Sequence, residues 1–388
     1  MNSFTYCVPT KVYFGKGQLE HLSEELAAYG RRILFVYGGG SIIKNGLYEK
    51  VTAAAEKAGC TLTELSGVKP NPRIDLVREG VRLCREEKIE AVLAVGGGSV
   101  IDTAKFVAAG ACMDGDPWEL TSPHTAVEKT LPLLTVPTMA ATGSEMDASA
   151  VISNPETHDK IGRTVQAFYP KVSFLDPENT FTVSARQTAC GSADILSHIM
   201  EEYFTMDEDL YMLDCVMEGL MKTVIRYAPI AMKEPDNYEA RANLLWASEW
   251  AINGLIEGGK RQAWSCHPIE HELSAYYDIT HGLGLAILTP RWMEYCLDEK
   301  NVSRYVQFGV NVFGLDAAQD PFETAREAIE KMKEFLYDTL GIESSLTEIG
   351  IDDARFPEMA KKAYRRGLVF AFKTLRPKDV ENILRMCL

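Results

Sequence analysis

Two apolar runs in the first hundred residues stop at the same four residues. Arg32-Ile-Leu-Phe-Val-Tyr37 ends in Gly38-Gly39-Gly40-Ser41, and Ala91-Val-Leu-Ala-Val95 ends in Gly96-Gly97-Gly98-Ser99. A short, unbroken run of β-branched, aromatic and aliphatic residues predicts a strand covered on both faces, which is the parallel-sheet situation. Leu47 to Ala58 and Ile74 to Glu87 lie between the two runs and carry apolar residues at helical spacing. Leu131–Val136 and Val172–Leu175 predict two further buried strands, the first closed by Pro137 and the second by Asp176-Pro177. Strands alternating with helices imply an α/β layer structure: a parallel sheet with helices on both faces.

Beyond Asp176-Pro177-Glu178-Asn179 the period-two runs all but disappear. Long helical patterns replace them over Ala185–Phe204, Leu210–Met232, Tyr238–Ile256, Val302–Phe313, Pro321–Leu340 and from Pro357 onward. Gly258-Gly259, Gly314 and Gly341 supply the breaks. A chain of 388 residues exceeds what one core usually covers. The expectation is two domains, residues 1–180 as an α/β domain and 181–388 as an all-helical one.

Charge and cysteine use narrow the function classes. Lys plus Arg number 40 against 55 Asp plus Glu, a formal charge of −15. Such a surface repels phosphate backbones and anionic lipid, which argues against nucleic-acid or membrane-surface partners. No apolar run approaches the length of a spanning helix, and Met1 to Gly17 lacks a signal-peptide layout. Nine dispersed cysteines with no CxxC pair suit a reducing cytoplasm, and each is expected to be a small buried residue.

Three glycines and a serine at a strand end let backbone approach a bulky anion, and the helix that follows offers free amides and the positive end of its dipole. The segment Gly96-Gly97-Gly98-Ser99-Val-Ile-Asp102-Thr-Ala-Lys105 is neither GxGxxG nor a Walker loop. Two such turns on one sheet favour a dinucleotide across the carboxyl ends of the strands. At the first turn the chain offers Gly38, Gly39, Gly40 and Ser41, then Lys44, with no carboxylate to repel a ribose 2′-phosphate. NADP(H) is therefore expected ahead of NAD(H), with Gly38, Gly39 and Ser41 at the nucleotide.

Four of the seven histidines fall at positions 198, 267, 271 and 281. Asp194 and His198 share one face of a helix at i, i+4. His267-Pro-Ile-Glu-His271 repeats the spacing, and His281 stands at a probable helix start in Thr280-His-Gly282-Leu-Gly284. One carboxylate and three imidazoles suit a single divalent ion, Fe(II) or Zn(II). Spacing alone leaves open which of His267 and His271 is the ligand. The pattern lacks the glutamate of HExxH, so a zincin is unsupported. Glu145 and Asp147, beside Thr142-Gly-Ser, are expected to be a solvated pair.

Phe14-Gly-Lys-Gly17, the PNP at 70–72, GGGSVID at 96–102, TGSE at 142–145, Asp194…His198 and the run from His267 through Ser274-Ala275 to Asp278-Ile-Thr-His-Gly282 occur in that order. Together they resemble the iron-containing (group III) alcohol dehydrogenases, nearest the NADPH-dependent butanol dehydrogenase and aldehyde reductase branch. The resemblance implies a Rossmann-like N-terminal domain and a helical C-terminal domain, the dehydroquinate synthase-like fold, with the active site in the cleft. It implies the metal ligands Asp194, His198, His267 and His281, leaving His271 near the nicotinamide as a proton relay. It also places Asn71, Gly97, Gly98, Ser99, Thr138, Thr142, Asp102 and Lys160 at the cofactor. Met139-Ala140 departs from the Thr-Ala-Gly of many relatives. The expected reaction is reversible hydride transfer between NADP(H) and a primary alcohol or aldehyde. Glycerol or diol oxidation and a dehydroquinate synthase-type lyase are the alternatives, and a metal sensor without turnover is the rival outside enzymology. A homodimer is expected from the resemblance, aided by a strand-like segment at residues 4 to 14 that could pair at a sheet edge.

Overall fold

A computed structural model of the chain describes every residue except 208, 262, 263, 366, 367 and 369–371. The last of these fall in the helical pattern read from Pro357 onward, so that part of the expectation lies outside the described residues. The chain groups into two units, one made of Cys7–Val183 with Pro235–Glu249, the other of Met1–Tyr6, Ser184–Glu234 and Trp250–Leu388.

The first unit runs β1 (Lys11–Phe14), α1 (Leu22–Tyr29), β2 (Arg32–Tyr37), α2 (Ser41–Lys44), α3 (Leu47–Lys57), β3 (Thr61–Leu65), α4 (Ile74–Glu86), β4 (Ala91–Gly96), α5 (Gly98–Gly110), β5 (Leu133–Pro137), β6 (Ser149–Asn154), β7 (Asp159–Thr164) and β8 (Val172–Leu175). Six strands form one sheet in the order β1-β8-β5-β4-β2-β3, every pair parallel. The parallel α/β layer expected from the alternation is thus present. The central strands are almost wholly apolar because both faces are covered, and the buried Thr135 of β5 donates to Ser173 of β8. Leu34, Val36, Val92 and Ala94 pack with Val77, Val81, Ile101 and Val107 of α4 and α5. Ile33, Phe35, Leu93 and Val95 pack with Leu22, Leu26 and Val51 of α1 and α3.

Three features escaped the sequence reading. β3 is short and polar-rich, and β6 and β7 form a separate antiparallel hairpin. β1, part of the segment considered for pairing at a sheet edge, pairs in parallel with β8 of its own chain.

The helices continue with α6 (Ala185–Tyr203), α7 (Tyr211–Lys233), α8 (Tyr238–Trp250), α9 (Cys266–Tyr277), α10 (His281–Cys296), α11 (Val302–Phe308), α12 (Pro321–Lys333), α13 (Phe356–Tyr364) and α14 (Pro377–Met386). All but α8 belong to the second unit, and among its described residues there is no strand. α8 stops short of the predicted Ile256. Asn253 turns the chain by accepting from Leu255 N at 3.1 Å, and Gly254 sits at φ 91°, a conformation that ends a helix. Residues 309–313 and 334–339, read as continuous helix, wind as π turns instead. No helix among the described residues is long and apolar enough to cross a membrane. All nine cysteines are free. Cys84, Cys190, Cys266, Cys296 and Cys387 are buried as expected, whereas Cys7, Cys112 and Cys215 are exposed.

Candidate active site

In the second unit α6 places Asp194 and His198 one turn apart, α9 opens with Cys266-His267, and α10 begins at His281. Glycine allows these three helices to meet. A Cβ on Gly282 would stand 1.9 Å from the Cys190 carbonyl oxygen of α6, and a Cβ on Gly284 would stand 2.8 Å from Glu270 Cγ and Oε1 of α9. Asp278, in the left-handed region at φ 52°, ends α9 and turns the chain into α10.

This packing converges three imidazoles on one carboxylate oxygen. The Nε2 atoms of His198, His267 and His281 lie 3.6, 3.7 and 3.7 Å from Asp194 Oδ1. These separations exceed hydrogen-bond length. They lie at or just above the edge of a tetrahedron whose metal–ligand bonds are about 2.0–2.2 Å, roughly 3.3–3.6 Å. Donor atoms of Asp194, His267 and His281 all lie within 4.8 Å of one another. The His198 ring stacks on His267 at 4.7 Å. Asp194 Oδ1 and His267 Nε2 are buried without a hydrogen bond, a cost that a shared cation removes. The donor chemistry therefore fits a divalent ion of the Fe(II) or Zn(II) kind.

Electrostatics agree. Burial opposes the charge of Asp194, but His198, His281 and His267 outweigh it and hold the carboxyl well below the usual carboxylate range. Burial pushes His198 down to about 3. Burial also opposes protonation of His267, yet Asp194 and Glu201 win and raise it to about 9. Two buried carboxylates that sequence reasoning missed stand behind the ligands. Glu201 Oε1 accepts from His267 N at 2.7 Å and its Oε2 from Ser265 N at 2.9 Å. Glu270 Oε2 is hydrogen-bonded to His281 Nδ1, and Oε1 accepts from Ser274. Glu201 continues the Asp194–His198 face at i+7, a signal that was available; for Glu270 no spacing rule existed. Trp264 stands with its ring 4.7 Å from that of His267, held by a 2.8 Å hydrogen bond from Nε1 to Glu202. His271 lies off the cluster, its ring 5.6 Å from that of His281 and 6.4 Å from that of His267.

In the first unit the glycine turns share one sheet edge. Tyr37 pairs with Val95 and Gly96 with Pro137, so Gly38, Gly97 and Thr138 leave neighbouring strands at the same level. Thr138 N donates to Gly96 O at 3.1 Å. A Cβ on Gly98 would collide with Thr142 Oγ1 at 2.3 Å, whereas one on Gly97 would meet only Met139 at 3.7 Å. Gly97 precedes α5 with no side-chain cap, and Ser99 in the first turn of this 13-residue helix is half-buried. That cradle fits a pyrophosphate. The first turn differs. Gly38, Gly39 and Ser41 lie at the surface or half-buried, and the helix after them, α2, has only four residues. Its dipole contributes little, so the two turns are not equivalent.

The remaining cofactor candidates are dispersed around this edge. Asn71 is buried in a left-handed turn at φ 52°. Lys160, also buried, pairs in register with Ser153, whose N–H donates to Pro72 O at 2.7 Å and so ties the hairpin to the Asn71 loop. Asp102 accepts from Ser144 Oγ at 2.7 Å and from Val151 N at 2.9 Å. Both its oxygens thus brace the protein, and burial raises its carboxyl to about 6. The expectation of a solvated Glu145–Asp147 pair fails. Asp147 is buried against Lys105 Nζ at 2.5 Å, and Glu145 is buried beside the carboxyl of Glu249.

Comparison with known proteins agrees with the geometry. The family described as iron-containing alcohol dehydrogenase matches residues 9–177, and the C-terminal part of the Fe-containing family matches residues 188–388. The chain belongs to the iron-containing alcohol dehydrogenase family. It is an oxidoreductase acting on alcohols or aldehydes. It is 50% identical over 386 residues to the NADH-dependent butanol dehydrogenase A of Clostridium acetobutylicum, covering 100% of this chain and 99% of that one. It is 37% identical to the NADPH-dependent aldehyde reductase YqhD of Escherichia coli, covering 95% and 94%. The crystal structure of NADH-dependent butanol dehydrogenase A from Thermotoga maritima superposes with a TM-score of 0.95 at 40% identity, covering 100% and 99% of the two chains.

Proposed function

We propose that this dehydrogenase interconverts a small primary alcohol, butanol-like in size, and its aldehyde, using one Fe(II) or Zn(II) ion held by Asp194, His198, His267 and His281. The observation that carries the reading is the convergence of three Nε2 atoms on Asp194 Oδ1 at 3.6–3.7 Å. When bound, the ion supplies a Lewis acid for the substrate oxygen and the nicotinamide supplies or takes the hydride. The protein's own residues do the rest. Asp194 and the imidazoles fix where the substrate oxygen sits. Trp264, held by Glu202, gives that place an apolar wall. Gly97, Gly98, Ser99, Thr138 and Thr142 hold the dinucleotide, with Asn71, Lys160 and Asp102 at the margin. His271, outside the metal cluster, passes a proton between the substrate oxygen and solvent. In this reading residues 1–180 serve the nucleotide and 181–388 the metal and substrate.

The absence of a carboxylate at Gly38 to Ser41 favours NADP(H), and Lys44 adds positive charge to the same turn. NADH is the second reading, supported by the names of the relatives at 50% and 46% identity. A homodimer in the cytoplasm completes the proposal. The deciding assay follows absorbance at 340 nm with butanal, the metal-loaded protein and either NADPH or NADH. Faster turnover with NADPH supports the full reading. Faster turnover with NADH keeps the enzyme and overturns the argument from the first turn. No turnover of either cofactor with any small aldehyde refutes the reductase reading.

A further inference from the structure

We infer that Glu270 and Glu201 are positioning residues of the metal centre, Glu270 fixing the tautomer and ring orientation of His281 through its Nδ1 atom and Glu201 fixing the start of the helix that carries His267. The inference rests on the metal-site reading above and goes beyond the four ligands. His281 presents Nε2 to Asp194 at 3.7 Å, while its Nδ1 is hydrogen-bonded to Glu270 Oε2. His267 is placed more loosely, with Nε2 at 3.7 Å from Asp194 and Nδ1 at 3.4 Å from Glu201 Oε1 without a hydrogen bond between them. The two nitrogens of an imidazole diverge, so in each case the carboxylate stands on the far side of the ring from Asp194. A carboxylate oxygen accepts, so Glu270 holds His281 as the Nδ1–H tautomer and leaves its Nε2 lone pair for the ion.

The supports are themselves built rather than incidental. Both carboxylates are buried, Glu270 completely. Ser274 holds the second oxygen of Glu270, and Gly284 leaves the room that its side chain fills. Glu201 uses both oxygens on the amides at the start of α9, which sets the helix bearing His267. His198 Nδ1, like His267 Nδ1, is buried without a hydrogen bond, and stacking on His267 orients the His198 ring. A competing arrangement exists, because Glu270, His271 and His281 also offer atoms within 4.8 Å of one another. There Glu270 would itself be a ligand.

The test is the affinity of the metal-free full-length protein for Zn(II), measured by competition with a chromophoric chelator, with Co(II) absorption spectra alongside. Wild type and Asp194→Ala calibrate the metal site; if the wild type takes up no metal, the site reading falls and this inference with it. Given wild-type binding that Asp194→Ala abolishes, Glu270→Ala and Glu201→Ala are each expected to weaken Zn(II) about 10- to 100-fold. Glu270→Gln, a neutral acceptor, should fall between wild type and Glu270→Ala and shift the Co(II) bands. Unchanged affinity in both alanine variants overturns the inference, as does a Glu270→Ala that binds no more metal than Asp194→Ala, the mark of a ligand. Should Glu270→Ala not fold, Glu270→Gln decides: weakened binding with shifted bands supports the role, and wild-type behaviour or complete loss refutes it.

Discussion

At the scale of single residues, two groups separate chemistry from architecture. In the proposed ligand set His271 stands beside the metal and not on it, so His271→Ala is expected to retain stoichiometric metal while changing the pH–rate profile of aldehyde reduction. Loss of the metal in that variant would reverse the roles of His267 and His271. Glu249 illustrates the other kind. Burial first, and the adjacent Glu145 carboxyl second, raise its pKa well above the ordinary 4.5. An acid whose folded-state pKa is raised keeps its proton in the native state after the unfolded chain has lost it. Stability then falls as pH rises above about 4.5 toward the folded-state pKa, by up to about 1.4 kcal/mol per pH unit. Glu249→Gln, which fixes the neutral form, should flatten that fall and raise the melting temperature more at pH 8 than at pH 5. Equal shifts at both pH values would show that the pair is ionised in the native protein. The sequence placed Glu145 and Asp147 in solvent, because adjacency to TGSE reveals nothing of burial. Lys105 and Glu249, their buried partners, come from other elements.

At the scale of elements, periodicity revealed most of what local physics decides. Strands covered on both faces read as continuous apolar runs, and α6, with its i, i+4 Asp194 and His198, needed no tertiary knowledge. What stayed hidden depends on how elements pack. β6 and β7 are half-polar strands that pair with each other outside the main sheet, and Glu270 reaches His281 only because α10 lies against α9. The glycines of α10 make that approach testable. Gly282→Ala sets a methyl carbon 1.9 Å from a backbone carbonyl oxygen of α6, which no rotamer change relieves. The expected result is a loss of about 1–3 kcal/mol of stability or more, together with weakened metal binding as His281 moves away from Asp194. A Gly282→Ala protein with wild-type melting temperature and metal content would mean that α6 and α10 are farther apart than described. Gly39, by contrast, has no atom within 4 Å of its would-be Cβ, so alanine there probes backbone conformation and the nucleotide alone.

At the scale of the whole molecule, a chain carrying a formal charge of −15 gathers Asp194, Glu201 and Glu270 into one buried cluster. Without an opposing cation, that concentration of carboxylate opposes folding; His267, raised to about 9, offsets part of it, and His198, depressed to about 3, offsets none. An ion held by the proposed ligands would join α6, α9 and α10, which are far apart in sequence, so its binding energy would count toward the stability of the unit that contains them. Binding to the native state alone stabilises by RT ln(1 + [M]/Kd), about 2.7 kcal/mol when the metal is at a hundredfold its Kd. Chelator-stripped protein should therefore melt at a lower temperature than metal-loaded protein. The gap should widen as Zn(II) is raised, and Asp194→Ala should show none, since the oxygen on which all three Nε2 atoms converge is gone. Should stripping leave the melting transition of the wild type unmoved, the histidines would be packing against one another without an ion, and the Lewis-acid step would have to be sought elsewhere in the chain.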